Sequence, residues 1–304
     1  MIMKFGIIFF SLTFLSFNSI SEEELSRKGA DTCLKCHDEE STFPVLSIFK
    51  TKHGSHYDKS SPFANAQCET CHGGGNKHAR SQKKGKDDNP MRTFGHGAKS
   101  PVNEQNQVCL GCHQKHGKLG WFGSTHEQED VSCASCHQIH AEEDRVLSSE
   151  SQQKACFSCH TRTRNQTLQV SSHPLKFGKM SCSDCHNPHD SNNDALLKHG
   201  TVNETCYSCH AERRGPFLWE HAPVTEDCTL CHNPHGSNHK SLLKMKAPML
   251  CQRCHSSVGH PSTAFTSENS NESFPSRFVL GRSCSNCHDN IHGSNHPSGA
   301  NLTR

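Results

Sequence analysis

The sequence predicts short helical turns and loops with little or no sheet, wound around something other than an aliphatic core. Three observations lead there. Only 32% of the 304 residues are hydrophobic and the mean hydropathy is −0.75, an apolar supply below that of an ordinary globular chain. Twenty cysteines and 26 histidines stand in its place. The stretches between cysteines are rich in Gly, Pro, Asn and Ser, which start turns and interrupt regular elements. Such a chain scarcely offsets its own conformational entropy unaided. The formal net charge of +2 gives no global basic field aimed at nucleic acid.

The first residues read as an export signal. Lys4 is a short basic region, Phe5 to Phe17 an apolar run, and Ser19 and Ser21 are small residues at −3 and −1 of a cleavage site after Ser21. A membrane anchor is the alternative, but the run is shorter than the ~20 residues a spanning helix needs. No cysteine near the cut suggests a lipoprotein, and nothing later resembles a transmembrane helix. The protein of residues 22–304 is therefore expected to be soluble in an oxidising compartment, a bacterial periplasm.

All twenty cysteines fall in one pattern, Cys-x-x-Cys-His. The pairs are Cys33/Cys36, Cys68/Cys71, Cys109/Cys112, Cys133/Cys136, Cys156/Cys159, Cys182/Cys185, Cys206/Cys209, Cys228/Cys231, Cys251/Cys254 and Cys284/Cys287. They are followed by His37, His72, His113, His137, His160, His186, His210, His232, His255 and His288. This is the signature of c-type haem attachment. On a helical turn, positions i, i+3 and i+4 share a face, so two thiols reach the vinyl groups along one porphyrin edge while the histidine meets the iron. Disulfides would suit the compartment but explain neither the spacing nor the histidines. Zinc ribbons use Cys-x-x-Cys without needing a histidine after each pair, and thioredoxin-like pairs occur singly. The fold class expected is a multihaem cytochrome c, mostly short helices and loops wrapped around a linear array of ten haems.

Sixteen histidines lie outside the motifs. Electron-transfer haems of low potential take two axial ligands, and methionine in the second place raises the potential. With only six methionines, histidine is the expected distal ligand. Even-numbered motifs carry a histidine on each side: His126 and His140 flank Cys133, His173 and His189 flank Cys182, and His221 and His235 flank Cys228. Towards the ends the pattern loosens. His53 or His56 precedes Cys68, with His78 or His96 after it; His260 precedes Cys284 and His292 follows. The distal set read from this is His53, His78, His126, His140, His173, His189, His221, His235, His260 and His292. A flanking histidine cannot easily serve the haem bound beside it, so ligation is expected to cross between neighbouring units. His116, His199, His239 and His296 are left as surface or haem-edge residues.

A two-haem repeat of about 45–50 residues runs from Cys109 to His255. Leu196–Leu197 and Leu242–Leu243 sit at one offset in their copies, and Val146–Leu147 one residue earlier in its own. These pairs, with the phenylalanines, Trp121 and Trp219, are candidates for packing on porphyrin faces or in small apolar clusters. Residues 73–100 and 267–275 read as loops, and Lys83, Lys84 and Lys86 as a solvated basic stretch. About 28 residues per motif is a thin coat, so the macrocycles are expected to lie against one another. A linear repeat grows in one direction, and ten porphyrins in a row, each on the order of a nanometre across, exceed a ~30 Å bilayer core; a compact cluster is the alternative.

Over essentially its whole exported length the sequence resembles the DmsE/MtrA-type periplasmic decahaem cytochromes c. The resemblance rests on the ten motifs and on the blocks CSDCHNPH, CTLCHNPHGS, CQRCHSSVGHPS and CSNCHDNIHGSNHPSG. It implies bis-histidine haems in two pentahaem halves, residues 22–165 and 166–304, a split that the motif spacing itself does not display. It also implies insertion into an outer-membrane β-barrel of the MtrB type. Electrons would pass between an inner-membrane or periplasmic cytochrome donor and an extracellular multihaem cytochrome or terminal reductase, in either direction.

Two other functions compete. A multihaem reductase or oxidase needs an open iron position with acid–base groups nearby; all ten motifs are standard here, histidines suffice to close every iron, and no catalytic residue is assigned. A free periplasmic shuttle differs from a conduit only in lacking the barrel.

Overall fold

The computed structural model describes residues 25–41, 43–114, 119–190, 193–255, 283–297, 299 and 302. The export signal, His260, His116 and the polar loop at 267–275 lie outside the described residues. Two compact units emerge, Met1–Thr93 with Ile139–Glu142, and Phe94–Gln138 with Glu143–Arg304.

The first unit holds α1 (Ala30–Cys33), α2 (Cys68–His72) and α3 (Asn76–Gln82). Ala30, Ile48 and Phe63 are buried together, with Cys68 and Ile139 against them, and Phe49 meets Phe63 edge-on. Glu69 is 2% exposed. Its carboxylate accepts from Ser26 N at 2.8 Å, Ser26 Oγ at 3.0 Å and Gly75 N at 2.6 Å, which offsets the cost of burying it. Gln67 Oε1 accepts from Ala30 N at 2.5 Å and so ties α1 to the start of α2.

The second unit contains α4 (Val102–His113), α5 (Thr125–Gln128), α6 (Cys133–Cys136), α7 (Gln152–Phe157), α8 (Thr161–Thr167), α9 (Val202–Tyr207), α10 (Ala222–Glu226) and α11 (Ala247–Gln252). Apart from the 12-residue α4 they are one or two turns long, too short to persist alone in water. Their ends are set by local chemistry. Ser124 and Thr201 cap α5 and α9 through Glu127 N and Glu204 N, and prolines open α10 and α11. The position 165/166 falls inside α8. Among the described residues there are no strands, only isolated antiparallel bridges, and no helix long and apolar enough to cross a membrane.

Helices pair with turns in a regular way. α4 packs on α6, α7 on the turn Cys182–Asp184, α9 on the turn Cys228–Leu230, and α11 on the turn Cys284–Asn286. Three of these pairs share a clamp. A side-chain amide, buried in the two asparagine cases, stands three or four residues before the odd motif's first cysteine. It accepts from a backbone N–H of the even motif and donates to a backbone carbonyl. Asn106 accepts from Cys133 N at 2.8 Å and donates to Val131 O at 3.2 Å. Gln152 accepts from Ser183 N at 2.9 Å and donates to Val146 O at 2.8 Å. Asn203 accepts from Cys228 N at 2.8 Å and donates to Val224 O and Thr225 O at 3.0 and 3.1 Å. The structural unit is thus a helix carrying one motif clamped to a turn carrying the next.

Longer-range stitches join successive repeats. Ser171 and Ser237 exchange backbone bonds at 2.9 and 2.8 Å, and Trp219 and Ser294 do so at 2.9 Å each. Each links the run before an upstream histidine (His173, His221) to the run after a downstream one (His235, His292). Gly236 makes the first possible: its φ is +151°, and a Cβ there would strike the carbonyl of Gln166.

Candidate haem sites

Every motif is one helical turn. Outside α2 and α4, which contain their motifs whole, the histidine N–H bonds to the first cysteine's carbonyl at 2.9–3.0 Å at all eight other motifs. The two thiols and the imidazole are thereby set on one face, the disposition a porphyrin edge and its iron require. Among the described residues no three His, Cys, Asp or Glu side chains gather as they would around a lone metal ion, and all twenty thiols are free of disulfides.

The sequence treats the two thiols of a motif alike; the structure separates them. The first cysteine of every motif is half-buried, whereas the second is exposed at Cys36, Cys112, Cys159, Cys209, Cys254 and Cys287. At the second, fourth, sixth and eighth motifs the second cysteine, Cys71, Cys136, Cys185 or Cys231, is half-buried instead. The difference has a local cause. In the odd motifs the first cysteine packs towards the following turn, and the second stands at or just past the end of its helix. In those four even motifs a later segment returns over the second cysteine and bonds its carbonyl. Arg92 Nη1 donates to Cys71 O at 2.8 Å and Arg145 Nε to Cys136 O at 3.2 Å. Lys198 N donates to Cys185 O at 2.8 Å and Lys244 N to Cys231 O at 2.9 Å. Among the described residues no such bond reaches Cys287. An exposed thiol next to a half-buried one suits a porphyrin edge that enters from solvent and seats one vinyl group deeper than the other.

Eight motif histidines face a flanking histidine. The ring pairs are His37–His78 (6.5 Å between centroids), His72–His140 (6.2 Å), His160–His126 (6.1 Å), His137–His189 (5.9 Å), His210–His173 (6.5 Å), His186–His235 (5.9 Å), His255–His221 (6.1 Å) and His232–His292 (6.1 Å). Rings in van der Waals contact would lie nearer. Two imidazoles bonding one metal from opposite sides stand roughly 6 Å apart, given metal–nitrogen bonds of about 2 Å and about 1.1 Å from nitrogen to centroid. The donor set fits haem iron.

The pairs cross. In none of these eight pairs does a flanking histidine face the histidine of the motif it flanks. Downstream flankers of the fourth, sixth, eighth and tenth motifs reach back two motifs, and upstream flankers of the fourth, sixth and eighth reach forward one. His78, behind the second motif, reaches the first. The stitches between successive repeats bring this about: His173 Nδ1 hydrogen-bonds Pro234 O at 2.9 Å, His221 Nδ1 bonds Ile291 O at 3.1 Å, and His126 Nδ1 bonds Pro188 O at 3.1 Å. Each carbonyl belongs to the residue just before a downstream flanker. Such second bonds fix the tautomer and aim Nε2 at the metal. Burial holds the imidazoles of His72, His140, His221, His235 and His292 below the usual histidine range, which favours the neutral, ligating form.

Of the sequence alternatives, His78 faces His37 while His96 is exposed. His53 is half-buried on the turn where its carbonyl accepts from Ser61 Oγ at 2.6 Å, whereas His56 is exposed with its ring on Tyr57. His199 and His296 are exposed. Trp121 is buried against His189, and Trp219 Nε1 donates to His296 O at 2.9 Å.

Thiols of successive motifs also meet. Cys33 lies within electrostatic reach of Cys68, Cys109 of Cys133, Cys156 of Cys182, Cys206 of Cys228, and Cys251 of Cys284. The neighbouring Cys33 lowers the Cys68 thiol, and burial raises that of Cys206. Cys136, Cys185 and Cys231 lie within electrostatic reach of Cys156, Cys209 and Cys254. In the second unit the succession from the third motif to the tenth is therefore unbroken.

Comparison with known proteins shows the family. The chain is 51% identical over 287 residues to the multiheme cytochrome MtrA of Shewanella baltica, covering 93% of this chain and 84% of the relative. The chain belongs to the MtrA-type multihaem cytochromes. It is therefore an electron-transfer protein binding c-type haem. Residues 173–215 and 221–260 match the doubled CXXCH motif family, residues 68–154 the NrfB-like cytochrome c-type proteins, and residues 16–73 the family of cytochrome c554 and c-prime. The cytochrome c-type protein NrfB of Haemophilus influenzae is 35% identical over 148 residues, 42% of this chain and 63% of the relative. That of Escherichia coli is 31% identical over 150 residues, 47% and 72%.

Sequence reasoning missed Asn106, Gln152 and Asn203. An amide three or four residues before alternate motifs was the available signal.

Proposed function

We propose that this MtrA-type chain carries ten covalent haems, each held by its Cys-x-x-Cys-His motif and a distal histidine from the set named above. It passes electrons along them through an outer-membrane porin–cytochrome conduit. The observation that carries the reading is the crossed pairing of motif and flanking histidines. At the eight motifs so paired it closes the axial positions against exogenous ligands and leaves outer-sphere electron transfer as the chemistry available there. The thiol-to-thiol succession supports it, because neighbouring attachment points set neighbouring macrocycles close enough for electrons to tunnel. When bound, the haems supply the redox change; the chain orients them and supplies their axial ligands. The two pentahaem halves are, in this reading, a grouping of haems.

An export signal over residues 1–21 directs the chain to the periplasm. A β-barrel of the MtrB type is the sheath, with a periplasmic or inner-membrane cytochrome on one side and an extracellular cytochrome or reductase on the other. The test is twofold. The exported protein should weigh its residues from 22 onward plus ten haems, with an entirely low-spin spectrum, and it should co-purify with a barrel from outer-membrane extracts. Recovery of the holoprotein without a barrel would make it a free shuttle, and a substantial high-spin fraction would make it an enzyme.

A further inference from the structure

The imidazole Nδ1 of a motif histidine needs an acceptor. At His186 it is the carbonyl of Ala195, at 2.8 Å, and at His232 the carbonyl of Ser241, at 2.7 Å. These acceptors stand nine residues on, at left-handed backbone positions with φ of +55°. The chain then returns beside the motif. Asn187 N bonds Leu196 O and Lys198 N bonds Cys185 O in one copy; Asn233 N bonds Leu242 O and Lys244 N bonds Cys231 O in the other. In the first unit His72 likewise bonds a carbonyl, that of Arg92, at 2.8 Å.

The copy at His137 differs. Its apolar pair arrives one residue early, so the loop is one residue shorter, and residues 144–146 have no left-handed position. Side chains replace the backbone bridge. Asp144 Oδ2 accepts from His137 Nδ1 at 2.6 Å, and Oδ1 accepts from Gln138 N at 3.2 Å and Val146 N at 3.4 Å. Arg145 donates to Cys136 O at 3.2 Å and Ser135 O at 2.7 Å, where the copies at His186 and His232 use a lysine backbone N–H on the corresponding cysteine carbonyl and the second motif uses Arg92. The carboxylate side chain is only 14% exposed. Among the described residues no cation but His137 stands within ion-pair distance of it. The substitution preserves the architecture and changes the electrostatics: a neutral acceptor becomes an anion, aimed at the ring that pairs with His189.

We propose that Asp144 is a potential-setting residue, which makes the haem at Cys133–Cys136–His137 more reducing than those at the second, sixth and eighth motifs. A carboxylate accepting the ring N–H makes the imidazole a stronger donor, and stronger donation favours the ferric state, hydrogen bonding beyond the ligands being one of the protein's levers on haem potential. This places a built-in step in the path at the fourth motif. The inference rests on the haem reading above.

The test is Asp144→Asn in the full holoprotein. Asparagine keeps the shape and an acceptor oxygen and loses the charge. The haem count by mass should be unchanged and the spectrum low-spin. In a spectroelectrochemical titration one electron in ten should move to more positive potential, with a shifted low-spin EPR signal for one haem. Arg145→Gln loosens the same loop but removes a cation, so its curve should stay or move negative. An unmoved or negative shift for Asp144→Asn overturns the inference. So does a positive shift for both variants, which would report water entry. A wild-type peptide lacking haem at Cys133–Cys136 would instead remove the haem reading itself.

Discussion

Replacing His189 by alanine tests the crossing directly. His189 flanks the sixth motif, yet its ring lies 5.9 Å from that of His137 in the fourth, at 12° between planes. On the proposed load of ten haems the variant opens one iron. About one tenth of the haem should become high-spin and bind carbon monoxide, one molecule per protein, while the covalent count stays at ten. Location is decided by a second step. Removing the fourth attachment (Cys133→Ala with Cys136→Ala) in this background should abolish carbon monoxide binding, because the opened iron has gone. Removing the sixth (Cys182→Ala with Cys185→Ala) should leave it intact. Each triple variant is checked by mass for nine haems. The reverse outcome, binding lost only with the sixth attachment, would place His189 on its own motif's iron and refute the crossed reading. An unchanged spectrum in the single variant would remove His189 from the ligand set.

Three further outcomes are expected. Cys185→Ala should reduce the covalent haem count by one in the mass of the exported protein; an undiminished count refutes attachment there. Asn203→Ala leaves the Cys228 N–H and the carbonyls of Val224 and Thr225 in α10 without their partner, at a cost of about 1–3 kcal/mol, read as a lower thermal midpoint with haem count unchanged. Gly236→Ala forces a side chain into a left-handed position facing the Gln166 carbonyl, for about 1–3 kcal/mol of strain. Gly200→Ala, with nothing within 4 Å of the added carbon, should be nearly silent, and equal midpoints for the two would contradict the stitch at Ser171–Ser237.

Much of the site was legible because covalent chemistry leaves little choice of residue or spacing. A thioether needs cysteine, and an axial position beside it needs the next histidine, so the motifs and the flanking histidines stand out unaided. The unequal exposure of the two thiols was not legible, because it depends on which segment returns over Cys71 or Cys185 and leaves Cys36 or Cys159 open. What each flanking histidine faces was legible only as a crossing. The actual pairing is decided by contacts such as Ser171 with Ser237 and Trp219 with Ser294, between residues more than sixty apart, and no local pattern encodes them. Trp219 illustrates the same limit: a candidate porphyrin-packing residue, it has its indole N–H on the carbonyl of His296. The shortened loop before Val146–Leu147 was visible as an offset, but its meaning appeared only when the carboxylate of Asp144 was seen on the imidazole. The absence of sheet among the described residues followed directly from turn-rich linkers, since no run between motifs alternates long enough to pair.

The reach of the downstream histidines has a consequence for how such a chain can change length. His140, His189, His235 and His292 each look back by two motifs, to His72, His137, His186 and His232. Excising one whole repeat, for instance residues 187–232, leaves every remaining imidazole of these pairs with a counterpart of the same kind to face. Excising a single motif puts donors and recipients out of phase from there onward. The array is quantised: it can be shortened or extended by duplication in steps of two haems, and not by one.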